Sequence, residues 1–96
     1  MKKSFLFLAC AALALLGAAR NEGFVPDKKT AIRIAEAVGV PVYGEKTIAS
    51  QRPLNASLQD DVWTVTGSLP EGMVGGVLLV EISKKDGRIL RMSHGQ

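Results

Sequence analysis

A chain of 96 residues holds at most one domain, and one histidine, one cysteine, one tryptophan and one tyrosine leave little chemistry to distribute. The net charge of +3 sits largely at the start: without Lys2 and Lys3, ten of the twelve basic residues remain against nine acidic ones. That near-neutral balance argues against a nucleic-acid surface.

Lys2 and Lys3 precede an unbroken apolar run of twelve residues, Phe5 to Leu16, and Gly17-Ala18-Ala19 follows with small side chains. This order predicts a secretory signal peptide over residues 1–19 and an exported protein, periplasmic or secreted. A membrane anchor fits less well, because Phe5 to Ala19 is fifteen residues and a spanning helix needs about 20. Removal of the signal therefore leaves no stable membrane span. Cys10, after Leu8-Ala9, offers a minor alternative of lipid anchoring, but cleavage there leaves only Phe5 to Leu8 as the apolar region. Cleavage after Ala19 removes the only cysteine, and with it any disulfide or thiol nucleophile.

Residues 20–25 read as a mobile, polar lead-in to a domain spanning 26–96. Asp27 is placed to cap a helix, and Ala31, Ile34, Ala35 and Val38 recur at helical spacing. Arg33 and Glu36 form a candidate surface pair on its wet side. Gly39 and Pro41 predict an end or kink, with one further turn to a Gly44 cap. Glu45 to Pro53 reads as a connector anchored by Ile48.

Four strands are predicted next. Leu54, Ala56 and Leu58 alternate with polar residues, and Asp60-Asp61 makes a turn. Val62 to Leu69 puts Trp63, Val65 and Leu69 on one face, with Trp63 as the core anchor. Pro70 to Gly76 is a loop, and it is not a phosphate cradle, since a strand and not a helix follows it. Val77 to Ile82 is apolar on both faces and reads as a central strand, with Leu78, Val80 and Ile82 on one side. Lys84-Lys85-Asp86-Gly87 is a hairpin turn, and Arg88 to Ser93 a last strand with Leu90 and Met92 toward the core. His94 falls where fraying and solvation are expected. The fold class is α+β: one N-terminal helix on a curved, mainly antiparallel four-stranded sheet.

No catalytic constellation emerges. Asp60 and Asp61 are adjacent and do not converge, the serines lack an evident base, and no cluster has metal-ligand spacing. The chain reads as a non-enzyme with no cofactor and no metal. Glu81 is the one acid within an apolar strand, and only an enclosed pocket around it would revive an enzymatic or small-ligand reading. The helix covers one sheet face and leaves Val62, Thr64, Thr66, Val77, Leu79 and Glu81 on the other, a natural docking surface.

The ordered set Ala31-Ile-Arg-Ile34-Ala35-Glu36-Ala37, Pro41-Val-Tyr43-Gly44-Glu45-Lys46, Gln51-Arg52-Pro53-Leu54, Val62-Trp63-Thr-Val65-Thr-Gly67-Ser-Leu69-Pro70, Gly75-Gly76, Ile82-Ser-Lys-Lys-Asp86-Gly87-Arg-Ile89-Leu and His94-Gly95 resembles a family. It is similar to the small immunity proteins of bacterial polymorphic-toxin systems that have the nuclear transport factor 2, or cystatin-like, fold. The resemblance spans Pro26 to Gly95 and implies a non-catalytic protein that binds and neutralises a cognate protein toxin. With a single long helix, the chain would be a reduced version of that fold. With the signal, neutralisation would take place in the periplasm or envelope. A periplasmic peptidase-inhibitor-like module, a small-ligand-binding module and a homodimer are the alternatives. Candidate partner-binding residues are Tyr43, Gln51 and Arg52 in the connector, Glu71 and Met73 in the loop, and Thr64, Thr66 and Leu79 on the open face.

Overall fold

The computed structural model describes residues 22–95; the expected signal segment, with Cys10, lies outside the described residues. Six elements follow in chain order: α1 (Lys28–Tyr43), α2 (Glu45–Ala49), β1 (Asn55–Gln59), β2 (Val62–Thr66), β3 (Leu78–Ser83) and β4 (Ile89–His94). The strands form one antiparallel sheet in the order β1-β2-β3-β4, with the helices on one face. This is the expected α+β architecture.

The α1 helix starts where its cap predicts. The Asp27 carboxylate accepts the Thr30 N–H at 2.8 Å. Ala31, Ala35 and Gly39 form its buried stripe, one residue every four positions. At Gly39 a Cβ would lie 3.3 Å from Ile48 and 3.4 Å from Leu78, so small residues bring helix and sheet into contact. Pro41 does not end the helix. It falls in the last turn, which closes on Gly44 (φ 95°), whose N–H donates to the Val40 carbonyl at 2.8 Å. The connector after Gly44 is more ordered than expected: it contains α2, which buries Ile48 completely. Glu45 in its first turn suits the positive end of the helix. Glu36 pairs with Arg52 and not with Arg33.

Three expectations about the strands are corrected. Leu69 is exposed, because β2 ends at Thr66 and the chain leaves the sheet before reaching it. Leu90 is also exposed. Glu81 pairs with Arg91 and Ile82 with Ile89, so Leu90 is the extra residue of a bulge, and Ile89 takes its place beside Met92 against the core. Leu58 is on the inner side opposite Trp63, yet it is 44% exposed, because β1 is an edge strand. The Asp60-Asp61 turn is as expected, with φ of 51° and 61°, the paired positive values of a tight hairpin.

The lead-in, in its described part, is attached to the domain and not free of it. Phe24 and Val25 donate backbone hydrogen bonds to Lys85 and Lys84 at 3.1 Å each. The Val25 side chain is buried, and its carbonyl accepts the indole N–H of Trp63 at 2.7 Å. Trp63 is therefore a core residue with its one polar atom satisfied. It packs with Val25, Ile48, Leu54, Val65, Leu78, Val80 and Ile82.

Candidate functional site

Strand alternation sends Trp63, Val65, Leu78, Val80 and Ile82 under the helices and their neighbours to the opposite face. The register aligns those neighbours into three rows. Two cross all four strands, as Ser57, Thr64, Glu81 and Arg91 and as Asn55, Thr66, Leu79 and Ser93; a shorter third runs through Gln59, Val62 and Ser83. Each is half-buried or exposed, and no helix among the described residues covers them. The face is mostly small hydroxyl and amide side chains, with Leu79 and Val62 as its apolar members and Glu81 and Arg91 as cross-strand neighbours of opposite charge. Glu81 is half-exposed on this open face and not enclosed in a cavity.

The loop between β2 and β3 borders the same face. Gly75, Gly76 and Val77 line a shallow groove of about 360 Å³ together with Leu79, Arg91, Ser93 and Gly95. Upstream, Glu71, Met73 and Val74 are exposed, Met73 at 58% and Val74 at 93%. Gly72 (φ 79°) and Gly75 (φ 135°) supply the positive φ values that shape this loop.

Arg52 and Tyr43 belong to the helical side. The Arg52 guanidinium donates to Glu36 from Nη2 at 2.7 Å and Nε at 3.1 Å, and to Glu45 at 3.2 Å. The Glu36 carboxylate, followed by that of Glu45, raises the Arg52 guanidinium further above its ordinary value. The cluster borders an apolar patch of Ala37, Val40 and Pro41. Tyr43 is half-buried, its ring centroid 5.2 Å from that of His94 at a 41° tilt.

Gln51 lies between these regions. It is 5% exposed, so its side chain is not offered to a partner, contrary to expectation. Its Oε1 accepts the Leu78 N–H at 2.7 Å, and its Nε2 meets Nε2 of His94 at 2.7 Å. Its backbone carbonyl accepts the Ser68 N–H at 2.8 Å. Gln51 thus joins the α2–β1 link to the end of β2, the start of β3 and the end of β4. His94, expected to fray, is instead paired with Leu78 in β4. A Cβ at Gly67 would lie 2.2 Å from Gln51 Oε1, so only glycine fits there without displacing the amide.

Of the candidate contact residues, the fold brings Thr64, Thr66 and Leu79 together on one face, while Glu71 and Met73 are exposed in the loop whose later part, Gly75 to Val77, borders Leu79. It places Arg52 and Tyr43 on the other side of the sheet and buries Gln51. The rows also contain Asn55, Ser57, Arg91 and Ser93, which were not singled out. Their signal was available in the outward phase of the predicted edge strands.

A family model described as NTF2 fold immunity protein matches residues 30–96. YhhH of Escherichia coli K12, itself described as uncharacterised, is 33% identical over 73 residues, which span 75% of this chain and 58% of YhhH. YbbC of the same organism, also described as uncharacterised, is 29% identical over 114 aligned positions, spanning all of this chain and 93% of YbbC. No solved structure matches the chain.

Proposed function

The chain belongs to the NTF2 fold immunity protein family, and on that premise we propose that it is exported and neutralises a cognate polymorphic toxin by binding it in the periplasm or at the envelope. The family implies toxin neutralisation in general and a non-catalytic role. No helix among the described residues is long and apolar enough to cross a membrane. The observation that carries the binding reading is the uncovered sheet face, with Leu79 near its centre and Gly75 to Val77 of the preceding loop at its border. A surface of polar side chains interspersed with half-buried Val62, Val77 and Leu79, together with the exposed Met73 and Val74 of the loop, suits a protein partner. Tyr43 and Arg52 would then lie outside the contact.

The test is co-expression with candidate toxins, sought first among the proteins encoded beside this chain, together with a binding measurement on each purified pair. The wild-type chain should protect cells and bind at near one-to-one. Leu79→Arg should weaken binding at least about tenfold, the scale of a central contact residue, while leaving the melting temperature within a few degrees of wild type. In cell fractions the protein should be periplasmic and begin at Arg20. Undiminished protection by Leu79→Arg would remove the sheet face from the contact. An uncleaved cytoplasmic chain would overturn export.

A further inference from the structure

We propose that Gln51 and His94 form a proton-sensitive latch that holds the end of β4 to the helical side of the fold, a property beyond toxin binding and independent of it. A backbone N–H can only donate, so the 2.7 Å contact from Leu78 identifies the Gln51 atom facing it as Oε1. The other end of the amide, facing His94, is then the NH₂ group, and at 2.7 Å it donates to the imidazole. Nε2 of His94 must present its lone pair, which places the ring proton on Nδ1. A second proton on Nε2 would set N–H against N–H. Rotating the Gln51 amide gives no relief, because its NH₂ would then face the Leu78 N–H. Nor can the amide move aside easily, since Gly67 packs against it so closely that a Cβ there would lie 2.2 Å from Oε1.

The groups around His94 do not rescue the protonated ring. From α1 comes Tyr43, with its ring centroid 5.2 Å away, which offers a π face but no hydrogen-bond acceptor placed like that of a carboxylate. The link after α2 contributes Gln51, and β3 contributes Leu78. Among the described residues no carboxylate lies within 4.0 Å of the imidazole. The unfolded chain can hold a second ring proton without that conflict, so acid favours opening of this contact. His94 is the chain's only histidine, so such a side-chain transition has one assignable source.

Two measurements on the full chain test the latch. The ¹⁵N resonances of the wild-type imidazole at neutral pH should show the proton on Nδ1. The wild-type melting temperature should fall by roughly 4–8 °C between pH ~7.5 and ~5.5. His94→Gln, which can accept from Gln51 and does not titrate, should show less than half that fall. A proton on Nε2 in the neutral wild type, or the same pH slope in both proteins, overturns the proposal. Should His94→Gln fail to fold, the wild-type tautomer and pH slope decide the matter. No toxin is needed, so failure here leaves the immunity reading intact.

Discussion

At the scale of single residues, the most consequential side chain is an amide. Gln51 is buried, and both ends of its carboxamide are engaged, one by a main-chain group of β3 and the other by the imidazole of β4. Removing it strands the Leu78 N–H inside the protein, where an unpaired donor is costly. Gln51→Ala is therefore expected to destabilise the fold by about 2–3 kcal/mol, near the upper end for an orphaned buried group. Chemical denaturation measures this, and a loss below ~0.5 kcal/mol would mean that water replaces the amide without penalty. In the sequence Gln51 looked like a surface residue of a connector, because the signal lies elsewhere: in Gly67, which makes room for it, and in Leu78, twenty-seven positions on. The same holds for His94. Nearness to the end of the chain suggested solvation, but its partners come from α1 and the α2–β1 link.

Elements were legible where their signals are local. The Asp27 cap, the helical spacing of Ala31 and Ala35 and the Asp60-Asp61 turn each depend on neighbours a few positions away, whereas Gly39, expected at an end or kink, is buried within the helix. Hydrogen bonds from the Thr30 hydroxyl and N–H hold the Asp27 carboxyl below its ordinary value. The stabilisation from this cap is therefore fully present above the unfolded-state value and fades as pH falls through the lower, folded one. Asp27→Ala should melt below wild type at neutral pH, and the gap should narrow on acidification below about pH 4. Thermal melts across that range check it, and a gap that does not change with pH would mean that the carboxylate charge plays no part. Element details went astray where a single residue shifts the phase. The bulge at Leu90 exchanges the places of Leu90 and Ile89, and alternation in one strand cannot reveal it, because the shift is defined only against Glu81 and Ile82 of the partner.

For the molecule as a whole, a small domain rests on one compact core. Trp63 joins the sheet to the segment before α1 through its packing and through its hydrogen bond to Val25. Trp63→Ala should cost about 3–5 kcal/mol, a large share of the stability of a domain this size. Equilibrium unfolding tests this, and a variant melting within a few degrees of wild type would refute the core role. The opposite face of the sheet carries none of that core, so its substitution should separate binding from folding. That separation is what makes Leu79→Arg informative about a partner.

By itself the sequence determined the helix and its cap, the four strands, the inward set of Val65, Leu78, Val80 and Ile82, and an outward set containing Thr64, Thr66 and Leu79. These follow from periodicity, which is a property of neighbours. Tertiary structure alone decided that Val25 is buried, that Gln51 faces inward, that Arg52 joins Glu36 and Glu45, and that His94 is held in place. Those outcomes depend on which polar atoms and small residues meet across long stretches of chain. A side chain's spacing sets the face it points to, but its partners on that face are set by how the elements pack.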